Sequence, residues 1–373
     1  MKTPSSTFMR AVDRRSFMKN GLMVGGAATV SAGLLANSSM ARAAERSAER
    51  NLDQGDIAIL RFLAAAELIE SDLWIQYAEL GGLTSGKPIE VDPNQTLNAY
   101  QTALSNLDPD GPQYITSNTL DEVSHAVFLN AYLESKGAPQ VNFDKFRTLK
   151  GSTATGSTGK KRLTNLMNLN VDTSWFVRYR STKNTDLGAT FPQAITLNNR
   201  TAIPITDADF KDADHIQVIA NTAAFHFGAI EQGGTSLYAT LSQKVNHPEV
   251  LKITLSIGGD EIAHFLEWVD FAGNGVQPTV APVTDPETGL TFPNFFDPLN
   301  PLIQPSLIFP VPCEFINPDL PKVAIIRPTS DQFSGAVAAI EGFIASGLFI
   351  GQSQEFLNLL QVMAIEADEA YRF

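Results

Sequence analysis

The chain has 373 residues, 43% of them hydrophobic, and its 40 acidic against 27 basic side chains give a formal net charge of −13. That balance disfavours a polyanionic partner, so no nucleic acid is expected. The lone cysteine, Cys313, excludes an internal disulfide and a thiolate metal cluster, and is expected to be a buried free thiol.

The first 43 residues read as an address. "DRRSFMK", Asp13 to Lys19, places a twin arginine before the apolar run "GLMVGGAATVSAGLLA", Gly21 to Ala36, which is too short to span a bilayer comfortably. "ARA" at Ala41 to Ala43 supplies small residues for cleavage. The segment resembles a bacterial twin-arginine signal peptide cut after Ala43, which implies a periplasmic or secreted protein with no stable membrane anchor. Removing its six basic residues and one acidic residue leaves 21 basic against 39 acidic, a net charge of −18. No later stretch reads as transmembrane.

Four helical segments follow, in two pairs. The first is predicted from about Gln54 to Leu80, where Leu60, Leu63, Glu67, Glu70, Trp74 and Tyr77 alternate three and four apart, so two glutamates interrupt an apolar seam. The second, from about Ser117 to Ser135 with Gly137 as its stop, sets Leu120, Val123, Val127 and Leu129 around Glu122 and His125. A third is expected to start near Thr206, where "TDAD" offers caps, and to run through Phe225, Phe227, Ile230, Glu231, Tyr238 and Leu241 until "NHPE" breaks it. Pro248 suits the first turn of a fourth, which carries Leu251, Leu255, Ile257, Glu261, His264, Phe265 and Trp268 before Gly273.

The pairs are separated by residues 140–205, a long crossover expected to be partly mobile around "GSTATGSTGKK". Up, down, crossover, up, down is a way to close a four-helix bundle over residues 50–275. Residues 276–329 are Pro-rich and expected to be extended, and 330–373 to be helical again, with Phe343, Leu348, Phe356, Leu359, Leu360 and Met363 as apolar positions. The fold class expected is all-α.

"LDEVSH", Leu120 to His125, is nearly repeated by "GDEIAH", Gly259 to His264. Residues three apart on a helix project from nearly the same side, so Glu122 with His125, and Glu261 with His264, can each touch one ion. Glu67 and Glu231 on the first and third helices complete the set; Trp74 and Tyr238 each follow them by seven residues, so the two halves share one plan. Four carboxylates drawn out of water repel one another and lose hydration, and two divalent cations carry the four positive charges that neutralise them. Oxygen donors with one imidazole per ion suit iron or manganese better than a structural zinc.

In this arrangement the sequence resembles the ferritin-like di-metal carboxylate proteins, whose pattern is one Glu from each of two helices and Glu-x-x-His from each of the other two. The stretch "FLAAAELIESDLW", Phe62 to Trp74, looks like the branch that includes plant desiccation-related proteins and bacterial and fungal stress-associated relatives. The resemblance covers roughly Gln54 to Gly273. It implies a ferritin-like bundle, metal ligands Glu67, Glu122, His125, Glu231, Glu261 and His264, two Fe or Mn ions, and a small oxidant such as peroxide or oxygen as partner. Glu70 competes with Glu67, whose flanks match the family better. Asp121 and Asp260 are candidates to orient a histidine or to be solvated; His215 and His226 are expected to be surface or satisfied core histidines, and His247 to be exposed. Trp74, Tyr77 and Tyr238 are either core packing or a means of tuning an oxidising site. The function expected is Fe(II) oxidation or peroxide removal in oxidative or desiccation stress, by a monomer or small oligomer; the alternative is a non-catalytic stress-associated scaffold.

Overall fold

The computed structural model describes residues 52–83, 96–179, 192–272, 279–295, 310, 312–313, 316–324 and 335–372. The twin-arginine segment, Gly273 and parts of the Pro-rich stretch lie outside them. The described chain is mostly helical: α1 (Gln54–Gly81), α2 (Ala99–Leu107), α3 (Gly111–Ser135), α4 (Ser174–Tyr179), α5 (Ala213–Ser242), α6 (Pro248–Ala272), α7 (Ala336–Ala345) and α8 (Gln354–Asp368). Two short antiparallel pairings complete it, β1 (Leu169–Val171) with β2 (Leu197–Arg200) and β3 (Val283–Thr284) with β4 (Thr291–Phe292). No described helix is long and apolar enough to cross a membrane.

Local chemistry sets the helix ends. The Asp53 side chain caps α1 by accepting the Asp56 N–H at 2.7 Å, and Asp212 caps α5 by accepting from Asp214 and His215. Asn98 and Gln101 form a reciprocal capping box on α2. Pro112 occupies the first turn of α3, and beyond its end Gly137 takes φ 73°, a conformation that favours glycine. Pro248 opens α6.

The four long helices share one core, and their directions follow from which residues meet. Ser71, Trp74 and Gly82 of α1 and its end meet Glu122, Thr119 and Thr116 of α3, so these two run antiparallel. Ser242 and Tyr238 of α5 meet Thr254 and Gly258 of α6, again antiparallel. Across the pairs, Trp74 packs on Phe227 and Tyr77 on His226, while His125 faces Asp260 and Trp268 bonds Asn118. Between Ile59 and Gly82 only Arg61, Leu68 and Ile75 of α1 escape full burial.

The crossover expected to be partly mobile is pinned where it is described. Asp72 of α1 accepts the N–H groups of Leu163 and Thr164 and pairs with Arg147 at 2.5 Å; Glu79, two turns on, holds Arg162 and accepts the Thr158 N–H. Trp175 and Phe176 of α4 are buried against Phe225. The tail packs too: α8 lies on α1, and Asp368 at its end accepts the Ala336 and Val337 N–H groups that open α7. Cys313 is buried with a free thiol.

Four expectations are corrected. Helix α3 begins at Gly111, with Pro112 in its first turn, and α5 begins at Ala213, because Asp209 of "TDAD" closes a turn on the Ile205 and Thr206 N–H groups and leaves the capping to Asp212. Leu120, Val127 and Leu255 face outward, with Ile115, Ala126, Leu129 and Leu133 as the apolar contacts of α3. His247 is buried at the α5–α6 turn, where Asp56 accepts its N–H and that of Asn246, both at 2.9 Å. Helix α2 lies in a segment with no predicted element.

Candidate metal centre

The helices bring Glu67 and Glu70 of α1, Glu122 and His125 of α3, Glu231 of α5, and Glu261 and His264 of α6 into the core, each at most 8% exposed. Their donor atoms form two overlapping groups. Glu67, Glu122, His125 and Glu261 offer atoms all within 4.8 Å of one another, and so do Glu122, Glu231, Glu261 and His264. Glu122 and Glu261 belong to both. The result is a two-fold plan in which each Glu-x-x-His helix serves its own group and reaches into the other.

The histidines fix its polarity. His125 turns Nδ1 inward, 3.4 Å from Glu67 and 3.5 Å from Glu122; His264 turns Nδ1 to within 3.0 Å of Glu122 and 3.4 Å of Glu231. Each Nε2 points outward to an aspartate on the opposite helix, His125 to Asp260 at 3.2 Å and His264 to Asp121 at 3.3 Å. The aspartates of the two motifs therefore orient each other's histidine.

The two halves differ around this plan. Tyr238 donates its hydroxyl to Glu67, whereas Asn118 donates to Glu122 at 3.0 Å and to Glu231 at 3.1 Å while accepting from the Trp268 indole at 2.7 Å. Glu70 lies three residues beyond Glu67; the matching position beyond Glu231 is Gly234, against which the Glu261 carboxylate packs so closely that a methyl group would overlap it. Trp74, Phe227 and Trp268 close one end with centroids 4.7–5.4 Å apart.

The electrostatics are lopsided. Burial pushes the Glu67 carboxyl up to about 7, with Glu122 adding to it against His125. Glu70 and Glu261 are held well above the usual range by burial and then by the neighbouring carboxylates. Burial opposes charge on His125, but the Glu122 and Glu67 carboxylates outweigh it and lift it to about 11; His264 is raised for the same reason, with Glu231 foremost. Among the described residues no lysine or arginine pairs with any of the five glutamates. Glu67 Oε2, Glu122 Oε2, Glu231 Oε2, both Glu261 oxygens and both histidine Nδ1 atoms are buried without a hydrogen bond. Elsewhere on α1, by contrast, Asp72 and Glu79 are matched by Arg147, Arg162 and backbone N–H groups.

Buried polar atoms left without partners cost free energy unless something else satisfies them, and convergent carboxylates with inward imidazoles are the donor set of a cation. These buried Glu and His groups can hold metal ions. The other three histidines lie elsewhere: His215 pairs with Asp285 at 3.0 Å, His226 with the Tyr77 hydroxyl at 2.6 Å, and His247 sits at the turn. No family model, no curated protein and no solved structure matches the chain.

Proposed function

We propose that this chain is an exported ferritin-like protein, a four-helix bundle built around a dinuclear iron or manganese centre that removes peroxide or oxidises Fe(II). The observation that carries the reading is the pair of overlapping donor groups sharing Glu122 and Glu261, buried and, among the described residues, paired with no lysine or arginine. Glu67, Glu122 and His125 would hold one ion and Glu231, Glu261 and His264 the other, with Glu122 and Glu261 serving both. Four carboxylates balance two divalent charges. Glu70 is the fifth buried acid beside them, its pKa raised by burial and by the neighbouring carboxylates.

When bound, such a pair of ions supplies one-electron redox steps and polarises an oxygen ligand. The chain's own residues do the rest. Asp260 and Asp121 would accept hydrogen bonds from the Nε2–H groups and so keep both Nδ1 atoms turned inward. Asn118 and Tyr238 hold three of the carboxylates in place, and the Trp74, Phe227 and Trp268 rings exclude water from one end. The oxygen-rich, thiol-free donor set supports iron or manganese. Export rests on the twin-arginine residues Arg14 and Arg15 and the small residues at Ala41 to Ala43.

Elemental analysis of protein purified from its native host tests the reading. Two equivalents of iron or manganese, lost in Glu122→Gln/Glu261→Gln, with consumption of peroxide or Fe(II), support it. Metal-free protein that gains no stability from added Fe(II) or Mn(II) overturns it and leaves a non-catalytic scaffold.

A further inference from the structure

The bundle is covered on one side and bare on the other. Between His215 and Ser242 of α5 only Ala229, Gly233 and Ala239 escape full burial, and α1 is nearly as well covered, because the crossover, the tail and the short elements pack on these two helices. Helices α3 and α6, side by side, are exposed by contrast. Leu120, Val127 and Phe128 of α3 and Leu255 and Ile262 of α6 face solvent, Val127 by 64% and Leu255 by 61%. From Ser117 to Ala131 and from Leu255 to Leu266, Asp121 and Asp260 are the only charged side chains at the surface. At the middle of α6, Gly259 and Ala263 leave room for another helix to come close.

An apolar face of this breadth marks a protein contact. Two helices of 25 residues lying side by side present about 700 Å², close to the roughly 800 Å² that each partner of a stable dimer buries. The charges at its two ends say how a like chain would sit. At one end Lys136 and Lys252 balance Glu134 and Glu249. At the other, Asp270 stands in an acidic cluster with Asp108, Asp110 and Glu267, where burial and then the three aspartates push Glu267 up to about 7. A second copy turned end for end keeps the two acidic clusters apart and brings a lysine to each. Lys252 and Asp270 are eighteen residues apart, about five helical turns, so they lie along one line of α6, and their midpoint, Glu261, is level with Asp260.

We infer that the α3–α6 face binds a second copy of this chain about a two-fold axis crossing the helices at the level of Asp121 and Asp260, so that Lys252 of each copy meets Asp270 of the other. One favourable pair is thereby made twice, as an isologous contact requires. The apolar flanks supply the buried area, and the gap between α3 and α6, where Asp121 and Asp260 are 48% and 43% exposed, is closed to solvent. Each of these aspartates already faces a histidine Nε2, so the acids that converge on the axis are met from behind. The contact does not depend on the chemistry proposed for the centre.

Sedimentation velocity of the purified protein across the micromolar range tests it. Wild type is expected to dimerise. Lys252→Glu and Asp270→Lys should each weaken the dimer about tenfold, because two attractive pairs become repulsive at once, and the double variant or a mixture of the two single variants should recover most of the loss. Val127→Asp should weaken it as well, and Asp121→Asn/Asp260→Asn should tighten it by removing four acids from its centre. Circular dichroism confirms that these surface variants stay folded. Wild type that remains monomeric overturns the contact and leaves the face to a different partner; a dimer indifferent to both Val127→Asp and the charge swap is formed elsewhere and overturns it too.

Discussion

His125 of α3 is oriented by Asp260 of α6, and His264 of α6 by Asp121 of α3, at 3.2 and 3.3 Å. The exchange makes each motif dependent on the other helix. Replacing one aspartate by asparagine turns an obligate acceptor into a group that can also donate, and frees its histidine to rotate. Asp121→Asn and Asp260→Asn are each expected to keep the fold and to weaken metal binding about 10–100-fold, as loss of a supporting carboxylate does elsewhere. Equilibrium dialysis against Mn(II) reads the effect; affinities equal to wild type in both variants would refute the orienting role.

Gly233 and Gly234 offer a paired test. A methyl group at Gly234 would overlap the Glu261 carboxylate, whereas one at Gly233 meets nothing within 4 Å. Gly234→Ala should therefore displace Glu261 and lower metal affinity at least tenfold, while Gly233→Ala leaves affinity unchanged and raises stability by up to about 1 kcal/mol. Metal titration and thermal melts of both variants decide it.

Isosteric neutralisation separates ligation from stability. In the metal-free protein Glu122→Gln/Glu261→Gln removes two mutually repelling buried acids, and the melting temperature is expected to rise by about 2–4 °C for each kcal/mol relieved. In the presence of metal the order reverses, because only wild type gains binding energy. A double variant that melts lower than wild type without metal contradicts the electrostatic account.

Metal uptake should release protons. With His125 at about 11, the first ion displaces a proton from it throughout the neutral range, and below about 7 Glu67 gives up a second. Affinity is therefore expected to rise with pH, more steeply below pH 7 than above it. Calorimetric titrations in two buffers of different ionisation heat count the protons at each pH.

The β3–β4 hairpin carries its own pH signature. The His215 pKa is raised above 6.5, since Asp285 outweighs burial, so its contribution is complete below 6.5 and lost as pH rises through the raised value. Asp285 is lowered below 3.8, because Thr288 and His215 overcome its burial, so its contribution is present above 3.8 and lost as pH falls through the lowered value. The hairpin should be held best between pH 3.8 and 6.5. Hydrogen exchange at the Asp285 and Gly289 amides, corrected for intrinsic rates, is expected to be slowest there and to lose this dependence in His215→Gln.

Much of this was legible in sequence, because Glu-x-x-His at helical spacing reports on one face directly. Glu67, Glu122, Glu231 and Glu261 meet in the core with both histidines, and the described residues are mostly helical, consistent with the all-α class expected. The same feature misled the apolar reading. Once Glu122 and His125 occupy the inward stripe of α3, Leu120 and Val127 are left on the wrong side of it, as Leu255 is on α6. Glu70 illustrates another limit: a fifth buried acid beside four is invisible to spacing rules, which present it only as a competitor of Glu67. Helix α2 did carry a signal in Asn98 and Gln101, but nine residues are too few for periodicity to register.

The thin line of Arg61, Leu68 and Ile75 is all that α1 leaves to solvent over more than six turns, and Asp72 and Glu79 commit another flank to arginines from far along the chain. A minimal version trimmed to four helices would strand two acids and a greasy flank at once. Anyone wishing to shrink this scaffold must redesign its first helix before removing anything that leans on it.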